Sequence, residues 1–548
     1  MSQFYALSIL LSAFLLFLVQ PMVGKFILPW FGGTPTVWST VLLFFQVALT
    51  GGYAYAYWLL GQWRNRQQGM VHLALLGLSL ALLLFAALAW PSPLTPDASW
   101  RPQGNDLPIL GILKILAVSV GIPYFLLSSN STLVQAWFSG EYRDRVPYRL
   151  YVLSNVGSLL ALISYPILFE PNLTVRTQAW LWTIGYVAFA FSAAYLAWRT
   201  YHRAPDVAAQ RDKNTPSTEE RPGKGTYILW LGLAACASTL LISVTSQITQ
   251  EVAVIPFLWV LPLALYLLSF ILAFSGRRWY SRSLYWIAFF ILSFVSVWML
   301  VKWPPFSMVT QIALYALLLF TGCMACHGEL YKLRPHPRFL PSFYLMIALG
   351  GALGGIYVNL LAPYLFSSGF WELQWGLVAC GIFLALVLQS ERAPLRAKQA
   401  GRAQRRRATK ARQAEQPRRW SVRPVVVVMA IVVVLLSTAT VLIMRAISAD
   451  ALLAMRSFYG VSRVWEINSE RPEWRAYQLT HGKTVHGFQF VRSELRAVPT
   501  TFYAESSGVG LAFLNHPARP GVLSVGALGL GIGVIASYGQ AGDTFRFY

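Results

Sequence analysis

Three glycines late in the sequence, Gly529, Gly531 and Gly533, are spaced so that the backbone of a loop could approach a ligand closely. They follow the apolar run 521–528, which predicts a buried strand, and precede 534–538, which predicts the opening of a helix. A glycine turn between a strand and a helix can bring a nucleotide or adenosyl ligand against backbone N–H groups. With a second strand after the helix, the pattern predicts such a site.

A second group, Cys323-x-x-Cys326-His327, has the spacing of a haem-attachment motif. It lies at the end of an apolar run on the side that the charged loops assign to the cytoplasm, whereas covalent haem attachment normally occurs on the other side. Metal binding by these three side chains lacks a fourth ligand. We therefore expect helix packing here, with no metal and no covalently bound cofactor. Cys236 and Cys380 stand alone in apolar runs and are expected to pack as well.

Polar side chains at membrane depth, within the apolar runs or close to their ends, are the third kind of candidate, because such groups are costly in lipid and often mark the path of a transported solute. Lys25 and Glu251 lie near the ends of their runs, where a long side chain reaches the membrane interface. Glu251 could bind a cation or face an outer loop, and Asn155 fits a hydrogen bond between helices better than a ligand contact. The polar candidates for transport or packing are Gln20, Lys25, Asn155, Gln247, Gln250 and Glu251.

The composition places these residues in a membrane. Of 548 residues, 56% are hydrophobic and only 12% are charged, against about 25% charged in an ordinary soluble domain. A soluble globular enzyme is therefore excluded for most of the chain, and four cysteines in this length exclude a disulfide scaffold. The net charge of +23 suggests a nucleic-acid surface until the positions of the charges are considered.

Thirteen apolar runs are long enough to be membrane helices, since a bilayer core of about 30 Å needs roughly 20 apolar residues. The first has no basic flank and no cleavage site, so it predicts a helix and not a signal peptide. The runs are 4–27, 37–60, 70–90, 107–127, 150–168, 179–198, 227–244, 252–274, 284–301, 308–326, 343–365, 373–388 and 424–444.

The basic residues orient these helices. With the N-terminus in the cytoplasm, the cytoplasmic loops hold 29 Lys and Arg residues and the opposite loops hold 4, as the positive-inside rule requires. The segment 392–423 contains twelve basic residues and no interleaved aromatic cluster. It predicts a contact with anionic lipid at the bilayer surface and not with nucleic acid. Thirteen crossings place the C-terminal tail on the non-cytoplasmic side of an inner or plasma membrane.

The first twelve runs form two blocks with shared landmarks. Tyr151 precedes Gly157 by six residues, and Tyr344 precedes Gly350 by six. Gly350 and Gly354 stand four residues apart, a spacing that lets membrane helices approach closely. This 6+6 pseudo-repeat resembles the architecture of a major-facilitator-type transporter, in which two halves enclose a central cavity.

After residue 444 the polarity becomes ordinary, and the local motifs are familiar. The tail resembles the polyamine aminopropyltransferase (spermidine synthase) family, in particular its membrane-fused members with a transporter-like N-terminal region. By this resemblance, the tail transfers an aminopropyl group from decarboxylated S-adenosylmethionine, its co-substrate, to a polyamine. The motifs that carry the resemblance are 457–461, 479–489, 502–508 and 525–536 in the tail, and 150–158 and 326–330 in the membrane region.

The resemblance assigns several residues of the tail to the adenosyl ligand. Gln489 matches a glutamine that lies near this ligand in the family. Tyr503 and Glu505 match the ends of a Tyr-His-Glu motif whose histidine is Ala504 here.

The glycine-rich loop is also matched, by Gly529, Gly531 and Gly533, although Ile532 stands where the family has an aspartate. The acidic residue that should follow the second strand, and the aspartates that bind and deprotonate the amine, have no counterpart. No catalytic residue is identifiable, so the resemblance implies either a fragment of a longer enzyme or a tail that has lost catalysis. A tail outside the cytoplasm also lies apart from its cytosolic co-substrate.

The predicted fold is mostly α: a polytopic helical membrane domain with a 6+6 pseudo-repeat and a thirteenth helix, then a small β-domain and an incomplete Rossmann-like (methyltransferase-type) α/β domain. Two functions follow: an aminopropyltransferase-like membrane protein, or a transporter-like protein for polyamines or other small cations with a regulatory or vestigial tail. A scaffold subunit is a third reading, and the oligomeric state is not indicated. The predicted domains are 1–199 (first block), 200–225 (linker), 226–389 (second block), 390–423 (basic segment), 424–445 (thirteenth helix), 446–520 (β-rich subdomain) and 521–548 (Rossmann-like start).

Overall fold

A computed structural model describes most of the chain, which divides into two compact units. The membrane unit comprises 1–362 with 372–440, and the tail unit comprises 363–371 with 441–548. The described residues are 2–102, 107–142, 148–202, 222–251, 256–302, 306–336, 339–391, 424–449, 451–482 and 484–548. Most of the predicted basic segment, 392–423, and most of the predicted linker lie outside these ranges.

A helix lies on each of the thirteen predicted runs. Twelve helices in the described part of the chain are long and apolar enough to cross a bilayer, whereas the apolar helix at Trp259–Ser275 is shorter. The first block contains α1 (Ser2–Phe31), α2 (Pro35–Gln62), α3 (Asn65–Ala89), α4 (Pro108–Glu141), α5 (Tyr148–Ser164) and α6 (Val175–His202). The second contains α7 (Lys224–Glu251), α8 (Pro256–Ser275), α9 (Arg282–Met299), α10 (Met308–Lys332), α11 (Leu340–Ile356) and α12 (Glu372–Ser390), and α13 spans Pro424–Ala449.

The fifth helix of each block shows the repeat most clearly. Both α5 and α11 continue into a five-residue π turn, Tyr165–Phe169 in one and Tyr357–Leu361 in the other. The blocks also pack together symmetrically: α2 contacts α11, and α5 contacts α8. The predicted 6+6 pseudo-repeat is therefore confirmed by the structure.

Glycines bring the first and fifth helices of each block together. A β-carbon at Gly350 would lie 2.5 Å from the carbonyl oxygen of Leu231 on α7, and one at Gly354 would lie 2.7 Å from that of Ala235. A β-carbon at Gly157 on α5 would lie 2.9 Å from the carbonyl oxygen of Leu10 on α1. The predicted close approach is confirmed, and any larger side chain at these positions would force the helices apart.

Hydrogen bonds add to this packing where α11 meets α2 and α7. Thr50 on α2 donates to the carbonyl oxygen of Ala348 over 2.9 Å, and Ser238 on α7 donates to that of Gly351 over 2.8 Å. The amide of Gln46 donates to the Ser238 hydroxyl over 2.9 Å. The two blocks are thus joined by polar contacts as well as by apolar packing.

Several helices of the membrane unit are connected through basic loops at one end, which we call the basic end. Ion pairs join the helices there. In the first block, Arg199 on α6 lies 2.7 Å from Glu141 on α4, and the hydroxyl of Tyr5 donates to the same carboxylate over 2.6 Å. Because both charges have partners, this polar group can lie at the edge of the apolar region.

The second block has a larger ion-pair cluster at the same end. Glu329 on α10 is fully buried and accepts hydrogen bonds from Arg282, at the start of α9, and from Tyr280. Arg282 also contacts Glu391 at a distance of 2.6 Å. A buried carboxylate is tolerated only with such partners, and the sequence reasoning did not identify any of these pairs.

The tail unit begins with a four-stranded antiparallel sheet, which confirms the predicted β-rich composition. Its strands, β1 (Ala451–Ser457), β2 (Gly460–Ile467), β3 (Ala476–His481) and β4 (Thr484–Phe490), pair in sequence order. The segment Pro363–Trp371 belongs to the same unit. Arg456 donates to the carbonyl oxygen of Gly369 over 2.9 Å, and Arg463 donates to that of Ser368 over 2.7 Å.

The last part of the tail differs from the prediction. Strands β5 (Ser524–Ala527) and β6 (Thr544–Phe547) are parallel neighbours, and the short helix α14 (Gly508–Leu514) precedes them. The predicted helix at 534–538 is wrong, since Val534–Tyr538 forms only a 3₁₀ turn. Gly539 follows directly, and a glycine disfavours a longer helix. The only strands in the described residues after β4 are therefore two short parallel ones, and a Rossmann-like domain is not shown.

The carboxylate of Asp543 joins separate segments of this part of the tail through hydrogen bonds. One carboxylate oxygen accepts the Leu523 N–H at 2.7 Å, and the other accepts the Gln540 N–H at 2.8 Å and a guanidinium N–H of Arg519 at 2.7 Å. The side chain is only 1% exposed. The hydrogen bonds from Gln540 and Leu523, together with Arg519, lower the pKa of Asp543 to about 2.

The tail should lose stability in acid through this carboxylate. Because the pKa of Asp543 is lower when folded than its ordinary value of 3.8, its contribution is complete above about pH 4 and is lost as the pH falls towards 2. Hydrogen-exchange protection factors across 519–548 of the full-length protein, measured between pH 6 and pH 3, should fall with pH. Asp543→Asn should lower protection at pH 6 and flatten the pH dependence. An unchanged profile in this variant would contradict the assignment.

A matched glycine pair tests the contact between α7 and α11. Gly354→Ala should lower the free energy of unfolding by about 1–3 kcal/mol because the new methyl group overpacks the interface. Gly351→Ala is the control: a β-carbon there meets nothing within 4 Å, and alanine favours a helix by up to about 1 kcal/mol. Thermal unfolding of the detergent-solubilised protein measures both. Equal effects of the two substitutions would show that the contact is not as described.

Candidate functional site

A cavity of about 160 Å³ lies among six helices of the membrane unit, α1, α2, α4 and α5 from the first block and α8 and α11 from the second. Both halves of the pseudo-repeat therefore contribute to its wall. Most of the polar groups in the wall are hydroxyls. The polar residues are Ser12, Tyr53, Ser128, Ser131, Ser154, Asn155, Ser158, Tyr266 and Tyr344.

The wall is polar but uncharged. No Asp, Glu, Lys, Arg or His occurs among the described residues that line the cavity. Ser12, Ser128 and Ser158 each donate to a backbone carbonyl of their own helix, so their oxygens present lone pairs as acceptors. The Asn155 amide and the tyrosine hydroxyls supply donors as well. Such a wall can bind an uncharged solute that carries several hydroxyl or amide groups.

The cavity lies nearer the basic end than the opposite end. On α2, which begins at the opposite end, the lining residue Tyr53 comes well after the start of the helix at Pro35, a distance of roughly 27 Å at 1.5 Å per residue. On α5 and α11, which begin at the basic end, the lining residues Ser154 and Tyr344 lie within the first two turns.

Two stacked indole rings lie between this cavity and the end of the membrane unit opposite the basic end. The rings of Trp38 on α2 and Trp259 on α8 have centroids 4.6 Å apart and planes 15° apart. The two residues are 2% and 1% exposed. The helices come from different blocks, so the stack bridges the two halves of the membrane unit.

The polar residues singled out by sequence separate into two groups. Asn155 lines the cavity, although the sequence favoured a helix-to-helix hydrogen bond for it. Gln20 is buried and is not one of the lining residues, and it donates to the hydroxyl of Tyr124 over 3.2 Å and to the carbonyl oxygen of Leu16 over 3.3 Å. Gln20 therefore joins helices, as a packing residue would.

The remaining polar candidates lie outside the cavity wall. Lys25 pairs with Glu170, just after the π turn that follows α5, at 3.0 Å. Gln247 is buried in α7, and Gln250 donates to its neighbour Ser246 over 3.0 Å. Glu251 ends α7, and its side chain lies outside the described part of the chain.

The Cys-x-x-Cys-His group is buried inside the second block. The sulfur of Cys326 lies 3.4 Å from that of Cys380 on α12, and His327 shares a hydrogen bond of 3.0 Å with the hydroxyl of Ser269 on α8. No group of three or more His, Cys, Asp or Glu side chains in the described residues has metal-site geometry. These side chains pack between helices, and His327 lies behind the cavity residue Tyr266, with ring centroids 4.9 Å apart.

Sequence reasoning missed the serines and tyrosines that form most of the cavity wall. Ser128 and Ser131 on α4, just beyond the predicted run 107–127, and Ser154 and Ser158 on α5 recur at helical spacing, which was the available signal. A single hydroxyl in such a run usually bonds to its own helix, so the pattern gains meaning only when several helices present hydroxyls to one space.

A separate cleft of about 670 Å³ lies within the tail unit, between the sheet and the glycine loop. Gln489 and Gly533, two of the residues predicted to contact an adenosyl ligand, line it together with Tyr477, Phe488 and Arg496. The side-chain amide of Gln489 donates to the Arg496 carbonyl oxygen over 3.2 Å. The structure thus brings the predicted glutamine and one loop glycine to the same cleft.

The glycine loop needs its glycines for conformational reasons. Gly529, Gly531 and Gly533 have φ of +87°, +56° and +74°, a left-handed conformation that other residues adopt at a cost. Ile532, between two of them, packs against β4: its side chain would lie 2.8 Å from a β-carbon at Gly487. The loop is therefore a tight turn held against the sheet.

The other two tail candidates do not line the cleft. Tyr503 accepts a hydrogen bond on its carbonyl oxygen from the hydroxyl of Tyr538, and Glu505 is exposed. Burial, and then the nearby Glu505, raise the pKa of Tyr538. The cleft has no Asp or Glu among the described residues that line it, so it contains no carboxylate to accept a proton from an amine.

No protein-family model and no curated protein matches this chain. Among solved structures, the crystal structure of a D-xylose–proton symporter is similar over 71% of this chain and 95% of its own, at 12% identity and a TM-score of 0.40. The inward-open conformation of the xylose transporter XylE from E. coli is similar over 70% of this chain and 94% of its own, at 13% identity and a TM-score of 0.43.

Proposed function

We propose that this protein is a major-facilitator-like membrane transporter that moves a small, uncharged polar solute by alternating access. The observation that supports this most directly is the hydroxyl-lined cavity between the two blocks of the pseudo-repeat. Repeated blocks that rock around a shared central site can expose that site to each side of the membrane in turn.

The packing between the blocks suits such a motion. The symmetric contacts of α2 with α11 and of α5 with α8 join the halves, and each of the four helices contributes to the cavity wall. Both α5 and α11 contain a π turn, and a π turn interrupts the regular hydrogen-bond ladder of a helix. Helices with such interruptions can bend while their cavity-lining segments stay intact.

The chemistry of the wall favours an uncharged solute over the polyamines expected from the family resemblance. A polyamine would leave water for a site with no carboxylate among its described lining residues, and a cation pays heavily for such a transfer. The faces of Tyr53, Tyr266 and Phe270 could offset part of this cost through cation–π contacts. The hydroxyl and amide groups of the wall, in contrast, can donate hydrogen bonds to, and accept them from, the hydroxyl groups of a neutral polyhydroxyl solute.

The tail is proposed to be a regulatory ligand-binding unit. Its cleft combines Gln489 and the loop glycine Gly533, which supports an adenosyl-type or nucleotide-type ligand. Arg456 and Arg463 donate hydrogen bonds to the backbone of Pro363–Trp371. This segment leads from the π turn that follows α11 to the start of α12. A ligand that changes the conformation of the tail could therefore act on a segment continuous with a cavity helix.

The orientation of the chain belongs to the same proposal. We place the N-terminus in the cytoplasm and the tail on the other side, on the ratio of basic residues between loops. The basic segment 392–423 lies outside the described residues, and we propose that it contacts anionic lipid. The second candidate function, an aminopropyltransferase, is favoured only by the position of Gln489 and Gly533 on the cleft.

Solute counterflow into proteoliposomes tests the transport proposal. A panel of labelled sugars, polyols, neutral amino acids and polyamines should include a neutral polyhydroxyl solute that exchanges and no polyamine that does. Asn155→Leu should lower the exchange rate about tenfold, because losing a buried hydrogen bond to the solute costs about 1–1.5 kcal/mol.

Ser192→Ala is the matched control for a cavity substitution such as Ser158→Ala. Both serines donate to a carbonyl of their own helix, but only Ser158 lines the cavity. Exchange should fall in Ser158→Ala and stay unchanged in Ser192→Ala. Absence of counterflow for the whole panel would contradict transport, whereas selective exchange of a polyamine would overturn the solute class and keep the transporter.

Calorimetric titration of the full-length protein tests the tail cleft. Adenosine, S-adenosylmethionine and decarboxylated S-adenosylmethionine are the probes, and at least one should bind saturably. Gly533→Val should weaken binding at least tenfold, because it strains a left-handed residue in the cleft wall. Tyr459→Ala, an exposed position outside the cleft, should bind normally.

The same sample distinguishes a binding unit from an enzyme. Incubation with decarboxylated S-adenosylmethionine and putrescine should give no aminopropylated product, since the described lining of the cleft has no carboxylate to act as a general base. Formation of spermidine would replace the regulatory proposal with the aminopropyltransferase.

A further inference from the structure

The stacked indoles of Trp38 and Trp259 lie where a gate would be needed. On α2 the cavity residue Leu49 follows Trp38, and on α8 the cavity residue Tyr266 follows Trp259. At 1.5 Å per residue these separations are roughly 16 Å and 10 Å along the helices. The stack therefore lies beyond the cavity on two of its own helices, at the end opposite the basic loops.

The two tryptophans occupy equivalent places in the repeat. Each is the fourth residue of its helix and follows a proline at the first position, as Pro35-x-x-Trp38 on α2 and Pro256-x-x-Trp259 on α8. Since α2 and α8 are the second helices of their blocks, the pair meets on the pseudo-symmetry axis. Any rotation that separates the blocks at this end must pull the rings apart.

The residues around the two rings allow them to pack closely. Gly24 on α1 allows the Trp38 ring to lie against the helix, because a β-carbon there would be 2.6 Å from the ring. Both residues are almost fully buried, and their distance of 4.6 Å with nearly parallel planes is that of stacked aromatic rings. Water has no path between the two rings in this conformation.

The polar edges of the same rings have no partners here. The indole N–H groups of Trp38 and Trp259 are buried and make no hydrogen bond with any described residue. A buried donor without a partner is costly, so the closed stack carries a penalty that opening to water would relieve. This opposes the gain from ring stacking and favours a contact that can both form and break during a transport cycle.

We infer that Trp38 and Trp259 form an aromatic gate that closes the cavity at the end opposite the basic loops and that parts when the cavity opens there. This inference rests on the proposed transport function and deepens it by naming the residues that control access on one side. The structure shows the state in which this gate is closed.

Accessibility of an engineered thiol tests the gate directly. All four native cysteines are buried, so Ser154→Cys in the cavity wall can serve as a reporter in the native background. A membrane-impermeant maleimide is applied to sealed right-side-out and inside-out vesicles. The reporter should react at least tenfold faster from the side of the basic loops. Adding Trp38→Ala and Trp259→Ala should raise the rate from the other side at least tenfold.

The control is Trp298→Ala on α9, which removes a half-exposed tryptophan outside this stack and should leave both rates unchanged. Trp38→Phe with Trp259→Phe keeps two stacked rings and should keep the gate closed. An unchanged rate from the opposite side in the alanine pair, with the basic-side rate intact, would overturn the gate. Because labelling needs no transported solute, that outcome is distinct from a failure of counterflow.

Discussion

Close packing of α11 against α7 and α2 is the contact on which the membrane unit depends. Gly350 and Gly354 remove the side chains that would keep α11 away from α7, and Thr50 bonds its backbone to α2. Without a hydrophobic driving force between helices in lipid, contacts of this kind supply the association energy. The same helix lines the cavity, contains a π turn and leads into the segment held by the tail sheet. One helix therefore takes part in the packing of the membrane unit, in the wall of the cavity and in the connection to the tail unit.

The ion pairs described in the membrane unit lie near helix ends and not in the cavity wall. In the described part of the membrane unit, Glu329, Glu141 and Glu170 each pair with a basic residue near a helix end, so the cavity between the blocks has a wall without charged side chains. A neutral cavity held between charged helix ends can change its shape without separating an ion pair in lipid, where that separation would be most costly.

Sequence reasoning identified the elements better than the contacts between them. Hydrophobic runs located the thirteen helices because the bilayer constrains every one of them in the same way. The glycine spacing in α11 indicated the interface with α7, and the glycine loop of the tail was located correctly. In contrast, Glu329 and Arg282 are 47 residues apart in the sequence and meet only because α9 and α10 pack together. No local sequence pattern predicts that pair.

The cavity shows the same limit. Asn155 stood out as an amide in an apolar run, but its place in the cavity wall could not be predicted because the rest of that wall comes from five other helices. The 3₁₀ turn at Val534–Tyr538 is a failure of a different kind: a strand followed by a glycine loop usually introduces a helix, and Gly539 ended it after five residues.

The paired π turns also bear on how the two halves can deform. A π turn interrupts the regular hydrogen-bond ladder of a helix, and one follows both α5 and α11. Helices bend most readily where their hydrogen-bond ladder is interrupted. Each half of the membrane unit therefore has a bending point in its fifth helix, and the two halves can bend alike and keep the pseudo-symmetry between them.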